Sequence, residues 1–245
     1  PDPVTGALPI IDANQAVEDP NVQYRPGISN TFGLITVSPR QTGYVYGGSH
    51  IAFVDIENLD IRNALYTSDG SISFTDQFGV THAYNTFACG IYIEWARDFT
   101  VRGCEINNCD NGLFANSKNG AAQSSARLLI EGNYFHDNGL PLTYDPAHPT
   151  QVLSNGYHEH DCYIESAGVT YQYNHFGPMR TGCHGDAIKD RSSNIIIRYN
   201  EFDLGEQGAS VSTGAPAAGD ARRRIRLAHA DRQMESRSEE HTSEL

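Results

Sequence analysis

The sequence is short of basic residues. Its 245 residues include 17 Lys and Arg against 30 Asp and Glu, which gives a formal net charge of −13. Nucleic acids and anionic membrane surfaces are bound through clusters of basic side chains, so this balance argues against both. Lysine is especially scarce, because Lys118 and Lys189 are the only two in the chain.

Long apolar runs are also missing. No run approaches the roughly 18 residues that a transmembrane helix requires, so we expect no membrane insertion. No stretch shows the apolar spacing of an amphipathic helix. Short β-rich runs punctuated by Asn and Gly are present instead, and they indicate an all-β protein.

Cysteine is limited to five residues, whose spacings match no zinc module. We expect Cys162 to pack inside the fold as a small apolar residue, and nothing in the spacing requires a disulfide. The chain begins at Pro1 without a Met or a signal peptide, so we expect a processed product or a fragment.

The C-terminal region differs in composition from the rest of the chain. Residues 215–245 hold six Arg and six acidic residues, so the charge of −13 belongs to residues 1–214. Residues 237–245 read RSEEHTSEL, which looks like the translation of a DNA-sequencing adapter. We interpret 214–245 as a disordered, frameshifted tail, with the authentic frame lost between about 205 and 220, and the protein as C-terminally truncated.

A short pattern recurs five times in the body of the chain. Each copy has an apolar or β-branched triplet and ends in Phe or Ile. The copies span 53–61, 99–106, 128–135, 169–176 and 195–202. Equivalent positions 59, 104, 133, 174 and 200 are 45, 29, 41 and 26 residues apart. The shorter intervals fit one coil of a β-solenoid, and the longer ones fit a coil with an inserted loop.

Asn133, Asn174 and Asn200 occupy the same position in three copies of the pattern. Asn tolerates a left-handed backbone and can hydrogen-bond the next coil, so we predict that these side chains stack at a turn. The repeat resembles the right-handed parallel β-helix of the pectin-lyase-like superfamily. The resemblance implies an all-β, right-handed parallel β-helix, with an extracellular or cell-surface location.

The predicted organisation has three parts. Residues 1–43 form an irregular N-terminal segment or an early coil. Residues 44–213 form the β-helix, which is interrupted by inserted loops at 65–88 and 139–158. The first insertion contains a plausible hairpin, and insertions of this kind commonly build a binding wall.

Strand alternation predicts one outward-facing surface along successive coils. With Ile91, Ile93, Cys162, Ile164 and Ile188 pointing inward, their neighbours point outward. The predicted outward residues are Tyr92, Glu94, Asp161, Tyr163, Glu165 and Lys189. In polysaccharide-active β-helices, such a face holds the sugar chain. We therefore predict that Tyr92, Glu94, Tyr163 and Arg180 contact a polysaccharide.

The densest group of chemically active residues favours a β-eliminating polysaccharide lyase. That reaction needs a base to remove the proton next to a uronate carboxylate, and a cation to stabilise the enolate. The stretch Lys189-Asp190-Arg191-Ser192 resembles the Lys-Ser stretch of alginate- and chondroitin-type β-helix lyases. We predict catalytic roles for Lys189, Arg191, His160 and His184.

Two alternatives remain open. A glycoside hydrolase would use two carboxylates, with Asp161, Glu165 and Asp186 as candidates. The pair His184-Gly185 is similar to a His-Gly element of polygalacturonases, although that family's paired-Asp element is absent. A non-catalytic carbohydrate-binding, adhesive or structural β-helix module is the remaining alternative.

A bound cation is a separate possibility. Asp161, Glu165 and Asp186 could hold Ca²⁺, which would also reconcile an acidic protein with an acidic polysaccharide. Zinc through His158 and His160 is a weaker expectation. The predicted partner is an acidic or neutral polysaccharide, and we expect the full-length protein to be a monomer.

Overall fold

A computed structural model describes residues 1–18, 33–42, 45–46, 50–76, 78–116, 125–141, 143–145, 148–154, 159–203, 211–213 and 227–228. Within these ranges the regular secondary structure consists of strands, numbered β1 to β25 in chain order. No helix in the described part of the chain is long and apolar enough to cross a membrane.

Three parallel sheets of six strands form the solenoid, and the chain visits them in the repeating order I, II, III. Sheet I contains β3 (Gly33–Val37), β10 (Cys89–Glu94), β13 (Asn111–Asn116), β18 (Cys162–Ile164), β21 (Ile188–Asp190) and β24 (Val211–Thr213). Sheet II contains β6 (Ile51–Glu57), β11 (Ala96–Arg102), β14 (Ala126–Glu131), β19 (Ala167–Gln172), β22 (Ser193–Arg198) and β25 (Leu227–Ala228). Sheet III contains β1 (Ile10–Asp12), β7 (Asp60–Arg62), β12 (Glu105–Asn107), β15 (Tyr134–His136), β20 (His175–Phe176) and β23 (Glu201–Phe202). The predicted parallel β-helix is confirmed.

The first 43 residues contribute strands to the helix itself. β1 pairs in parallel with β7 in sheet III, and β3 pairs in parallel with β10 in sheet I. β2 (Ala16–Val17) pairs with β8 (Ser73–Thr75) outside the three main sheets. Of the two alternatives for this segment, the early coil agrees with these pairings.

Inserted hairpins lie between the coil strands. β4 (Arg40–Thr42) pairs antiparallel with β5 (Val45–Tyr46). β8 pairs antiparallel with β9 (Thr81–Ala83), in the region where the sequence indicated a hairpin. β16 (Thr143–Asp145) pairs antiparallel with β17 (His148–Ser154).

The C-terminal segment, predicted to be a disordered tail, contains one described strand. Leu227 and Ala228 of β25 pair in parallel with Ile197 and Arg198 of β22. For these two residues the structure differs from the prediction of disorder. The rest of 214–245 lies outside the described residues.

The core consists of side chains stacked coil upon coil. Ile91, Leu113, Cys162 and Ile188 occupy one register position in sheet I and are at most 1% exposed. Period-two alternation places every second residue of these strands inside, and the coil repeat aligns the inward residues. The predicted inward position of Cys162 is confirmed.

Aromatic side chains continue the core on the sheet III side. The rings of Phe135, Phe176 and Phe202 stack with centroid separations of 5.2 and 5.0 Å. These residues are the Phe positions at the end of the last three copies of the sequence repeat. The repeat therefore encodes a stack that runs along the solenoid axis.

The predicted asparagine stack is confirmed at the turn between sheets II and III. The Asn133 side-chain amide donates to Asn174 Oδ1 at 3.0 Å, and the Asn174 amide donates to Asn200 Oδ1 at 2.9 Å. The left-handed residue of this turn is the one before the asparagine, such as Gly132 with a φ of 63°. The asparagines thus link the coils, while their preceding neighbours make the turn.

Candidate functional site

The outward side of sheet I carries a continuous row of side chains. Tyr92 lies opposite Phe114, Phe114 opposite Tyr163, and Tyr163 opposite Lys189. We call these four residues the sheet I row. Neighbouring parallel strands are about 4.8 Å apart, so the row runs along the solenoid axis with one side chain per coil.

The three aromatic rings of the row contact one another. Tyr92 and Phe114 are parallel, with an interplanar angle of 1° and centroids 5.4 Å apart. Phe114 and Tyr163 meet edge to face, with centroids 5.3 Å apart. Sequence reasoning named both tyrosines and missed Phe114. The same alternation would have found it, since Leu113 and Ala115 on either side point inward.

Two cationic side chains stand at the end of the row. Lys189 is half-buried in the middle of β21, and Arg191 follows the strand and is exposed. The Arg191 guanidinium lies over the Tyr163 ring, 5.3 Å from its centroid. Tyr163 thus has Lys189 opposite it in the neighbouring strand and Arg191 over its ring, whereas Asp161, which was also expected at this site, lies elsewhere.

Glu165 lies beside this cationic end. Burial raises the pKa of its carboxyl, and the nearby Arg191 guanidinium acts in the opposite direction. A half-buried carboxyl with a raised pKa can exchange a proton closer to neutral pH than an exposed one.

Glu94 is buried beneath the opposite end of the row. Its side chain accepts hydrogen bonds from the Tyr92 hydroxyl at 2.7 Å and from the Ser38 hydroxyl at 2.6 Å. The residue is only 2% exposed. Glu94 thus orients Tyr92 from below, whereas the sequence predicted that it would contact substrate directly. Ser38 was missed because it belongs to the distant segment before β4.

His160 supports the row from inside the protein. It is 2% exposed, and its ring meets Tyr163 edge to face with centroids 5.4 Å apart. Its Nδ1 accepts a hydrogen bond from the Asp186 backbone N–H at 2.8 Å. An accepting Nδ1 places the proton on Nε2, so the ring is neutral in this arrangement. This buried position suits a positioning residue better than the predicted catalytic one.

Asp161 was predicted to face outward, but it is fully buried. Its Oδ1 accepts from the Asn138 amide at 2.9 Å, and its Oδ2 has no partner among the described residues. Burial raises the pKa of this carboxyl to about 7, against the opposing effect of the Asn138 hydrogen bond. The outward prediction failed because Asp161 lies in the turn before β18, where strand alternation does not apply, and its side chain accepts a hydrogen bond from Asn138.

Arg180 also lies away from the sheet I row, in a buried polar cluster. Its Nε donates to the Gly139 carbonyl at 2.7 Å, and its Nη2 is buried without a partner in the described structure. Burial raises the pKa of Asp110 in this cluster, the Glu159 charge raises it further, and the Arg180 charge lowers it. The sequence assigned no role to Asp110 or Glu159, and the fold brings both near Arg180.

The remaining predicted residues fall at the edge of the site. His184 is exposed, and Asp186 is half-buried near His160. The described residues contain no group of three or more His, Cys, Asp or Glu side chains arranged to hold a metal ion. Asp161, Glu165 and Asp186 therefore do not converge as predicted for calcium. His158, considered for zinc, lies outside the described residues.

Comparison with known proteins bears on the fold. The family model described as "Right handed beta helix region" matches residues 42–220, which is well over half of the chain. No curated protein and no solved structure matches the chain.

Proposed function

Because the chain belongs to the family of proteins with a right-handed β-helix region, we propose that its sheet I row binds an acidic polysaccharide and cleaves it by β-elimination. The observation that carries the proposal is the cationic end of the row. One of the two lysines of an acidic protein stands there beside an arginine that lies over an aromatic ring. An extracellular or cell-surface location goes with such a substrate.

The aromatic part of the row supplies a surface for sugar rings. Tyrosine and phenylalanine present flat apolar faces, on which the C–H face of a pyranose packs, and the tyrosine hydroxyls add polar contacts. Because the row runs along the axis, the polymer lies along the axis as well. Lys189 and Arg191 contact the uronate carboxylate. Arg191 binds it more strongly, because its guanidinium can donate two parallel hydrogen bonds to the two oxygens.

The reaction follows from this placement. Lys189 acts as the general base and takes the proton from the carbon next to the uronate carboxylate. The electron pair forms a carbon–carbon double bond, the bond to the glycosidic oxygen breaks, and that oxygen takes a proton from a solvent water as it leaves. Arg191 stabilises the charge that develops on the carboxylate. His184, which is exposed in the turn before β21, is the second candidate for proton transfer.

The experiment separates binding from cleavage. The substrates are alginate, polygalacturonate and chondroitin sulfate, with binding measured by titration calorimetry and cleavage by the ultraviolet absorbance of unsaturated uronates. We expect Lys189→Gln to lower the rate about 100-fold or more, as loss of a general base does, and to change affinity only a few-fold. Arg191→Gln is expected to weaken both.

Arg127→Gln is the matched control, because it removes the same charge from an exposed site on sheet II, where Arg127 pairs with Asp98. An unchanged rate in Lys189→Gln would reject the base. Binding without unsaturated products would reject the lyase and leave a carbohydrate-binding module. Absence of binding to all three polymers would reject the proposal as a whole.

A further inference from the structure

A second aromatic feature lies on another side of the solenoid, at the corner between sheets II and III. Each coil turns this corner through a residue in equivalent position with a left-handed backbone. These residues are Asn58, Gly103, Gly132, Tyr173 and Tyr199, with φ between 56° and 63°. The Gly132 N–H donates to the Gln172 carbonyl of the next coil at 3.0 Å, which fixes Gly132 beside Tyr173.

Two of these five positions carry an unusual residue. Asparagine and glycine adopt a left-handed backbone readily, whereas a bulky aromatic residue does so at a cost. Tyr173 and Tyr199 nevertheless occupy it in successive coils. Phe53 and Arg127 also carry bulky side chains on a left-handed backbone, so what distinguishes Tyr173 and Tyr199 is that their rings adjoin.

The two tyrosine rings are stacked and exposed. Their centroids are 5.2 Å apart, with an interplanar angle of 11°. Tyr173 is 59% exposed and Tyr199 is 43% exposed. Tyr199 covers one face of the Tyr173 ring, and the other face is turned toward the coil of Gly132.

An open slot lies on that second face of Tyr173. A Cβ added at Gly132 would meet no described atom within 4 Å apart from its chain neighbours, so no other described side chain lies against this position. In the coil of Gly103, an added Cβ would lie 2.7 Å from Asn58 Oδ1. The Asn58 side chain therefore fills the equivalent position there. The slot is therefore about one coil wide, or about 4.8 Å, which suits a single ring.

The polar side chains that border the corner are bonded to one another. Arg102 pairs with Glu57 at 3.0 Å and with Glu131 at 2.7 Å, and Arg198 donates to Gln172 Oε1 at 2.8 Å, while Gln172 also donates to Glu131. With Asp55, whose charge also acts on Arg102, three acidic and two basic residues line the border. An acidic ligand gains no net attraction here, whereas sugar hydroxyls can share the donors and acceptors of the border.

We infer that this slot binds one pyranose ring of a neutral glycan. The apolar face of the sugar stacks on Tyr173, and its hydroxyls reach Glu131 and Gln172 at the border. This site is separate from the sheet I row, which ends in cations and suits an acidic polymer. The protein would then hold two different glycans, or two parts of one mixed polymer, on different sides of the solenoid.

The test uses cellohexaose, mannohexaose and laminarihexaose, titrated calorimetrically into the whole protein. We expect at least one of them to bind. Tyr173→Ala should weaken that binding about tenfold, because one stacking contact is lost, and Tyr173→Phe should restore it to within about twofold. Gly132→Tyr should abolish binding, since it extends the tyrosine stack into the slot.

Two controls match these changes. Phe53→Ala removes an exposed aromatic residue that also has a left-handed backbone, at another position of sheet II. Gly6→Tyr places a tyrosine on a left-handed glycine with open space around it. Both should leave glycan affinity unchanged.

Three outcomes would overturn the inference. The first is that none of the three hexasaccharides binds at millimolar concentration. The second is that hexasaccharide affinity is unchanged in Gly132→Tyr, which would mean that Tyr173 and Tyr199 only stabilise the packing of neighbouring coils. The third is a dimer that Gly132→Tyr dissociates, which would assign the slot to a second copy of the chain. If Tyr173→Ala fails to fold, Gly132→Tyr decides the matter alone.

Discussion

Asp161 accepts a hydrogen bond from an asparagine, as Asn174 does in the turn between sheets II and III, but it has a carboxyl group in place of the amide. Asn138 donates to Asp161 Oδ1 at 2.9 Å, much as Asn133 donates to Asn174 Oδ1 at 3.0 Å. Unlike the amide of Asn174, which donates to the Ile130 carbonyl, Asp161 Oδ2 has no partner among the described residues. Burial raises the pKa to about 7, while the charge of His136 lowers it and that of Asp137 raises it.

We expect the free energy of unfolding to fall as the pH rises from about 4 to about 7. At pH values below the ordinary pKa of 3.8, Asp161 is protonated in both the folded and the unfolded chain. Above it, the unfolded chain ionises freely while the buried group resists, at a cost of up to about 4 kcal/mol by pH 7. Urea unfolding at pH 5 and pH 8 measures the difference. Asp161→Asn should largely remove it, and an equal pH dependence in that variant would contradict the assignment.

At the scale of the element, the asparagine stack joins neighbouring coils inside the turn between sheets II and III. Asn174 accepts at its Oδ1 from the Asn133 backbone and side chain, both at 3.0 Å. Its amide donates to the Ile130 carbonyl at 2.9 Å. A residue that is 1% exposed therefore satisfies buried groups in a neighbouring coil.

Asn174→Ala should destabilise the protein by about 2–4 kcal/mol, because it leaves buried donors and an acceptor without partners. Chemical denaturation with a strand-sensitive probe such as far-ultraviolet circular dichroism measures the loss. Asn14→Ala is the control, since Asn14 is exposed, and it should stay within about 0.5 kcal/mol of the parent. A loss of the same small size in Asn174→Ala would show that the stack contributes little.

At the scale of the whole molecule, the five cysteines report on the integrity of the coils. All five are free and buried, and they are spread from β10 to the turn before β21. Burial raises the pKa of every one of these thiols, to about 12 for Cys109 and about 11 for Cys183. A thiol that is both buried and protonated is a poor nucleophile.

We expect no cysteine of the folded protein to react with a thiol reagent such as dithionitrobenzoate at pH 8, and five to react in denaturant. Glutathione under the same conditions controls for reagent activity. In a solenoid each coil contacts mainly its neighbours, so partial denaturation should release the thiols in groups that follow the coils. Rapid reaction of any thiol in the folded protein would show that its coil opens locally.

The sequence by itself determined the coil register. The repeated triplets and aligned asparagines set which residues stack, because alternation along a strand and repetition along a solenoid are both local rules. This placed Tyr92, Tyr163 and Lys189 on one face and Cys162 inside. Alternation gives only the side of a strand on which a residue lies, however, and it does not show what covers that side.

Only the tertiary structure decided which outward residues are accessible. His160 and Asp161 are buried in the turn before β18, where Asp186 and Asn138 contact them, and the polar cluster of Asp110, Glu159 and Arg180 draws on residues far apart in the sequence. The open slot beside Tyr173 likewise depends on a glycine 41 residues earlier in the chain. Burial and accessibility arise from contacts between segments that are distant in sequence, so no local pattern contains them.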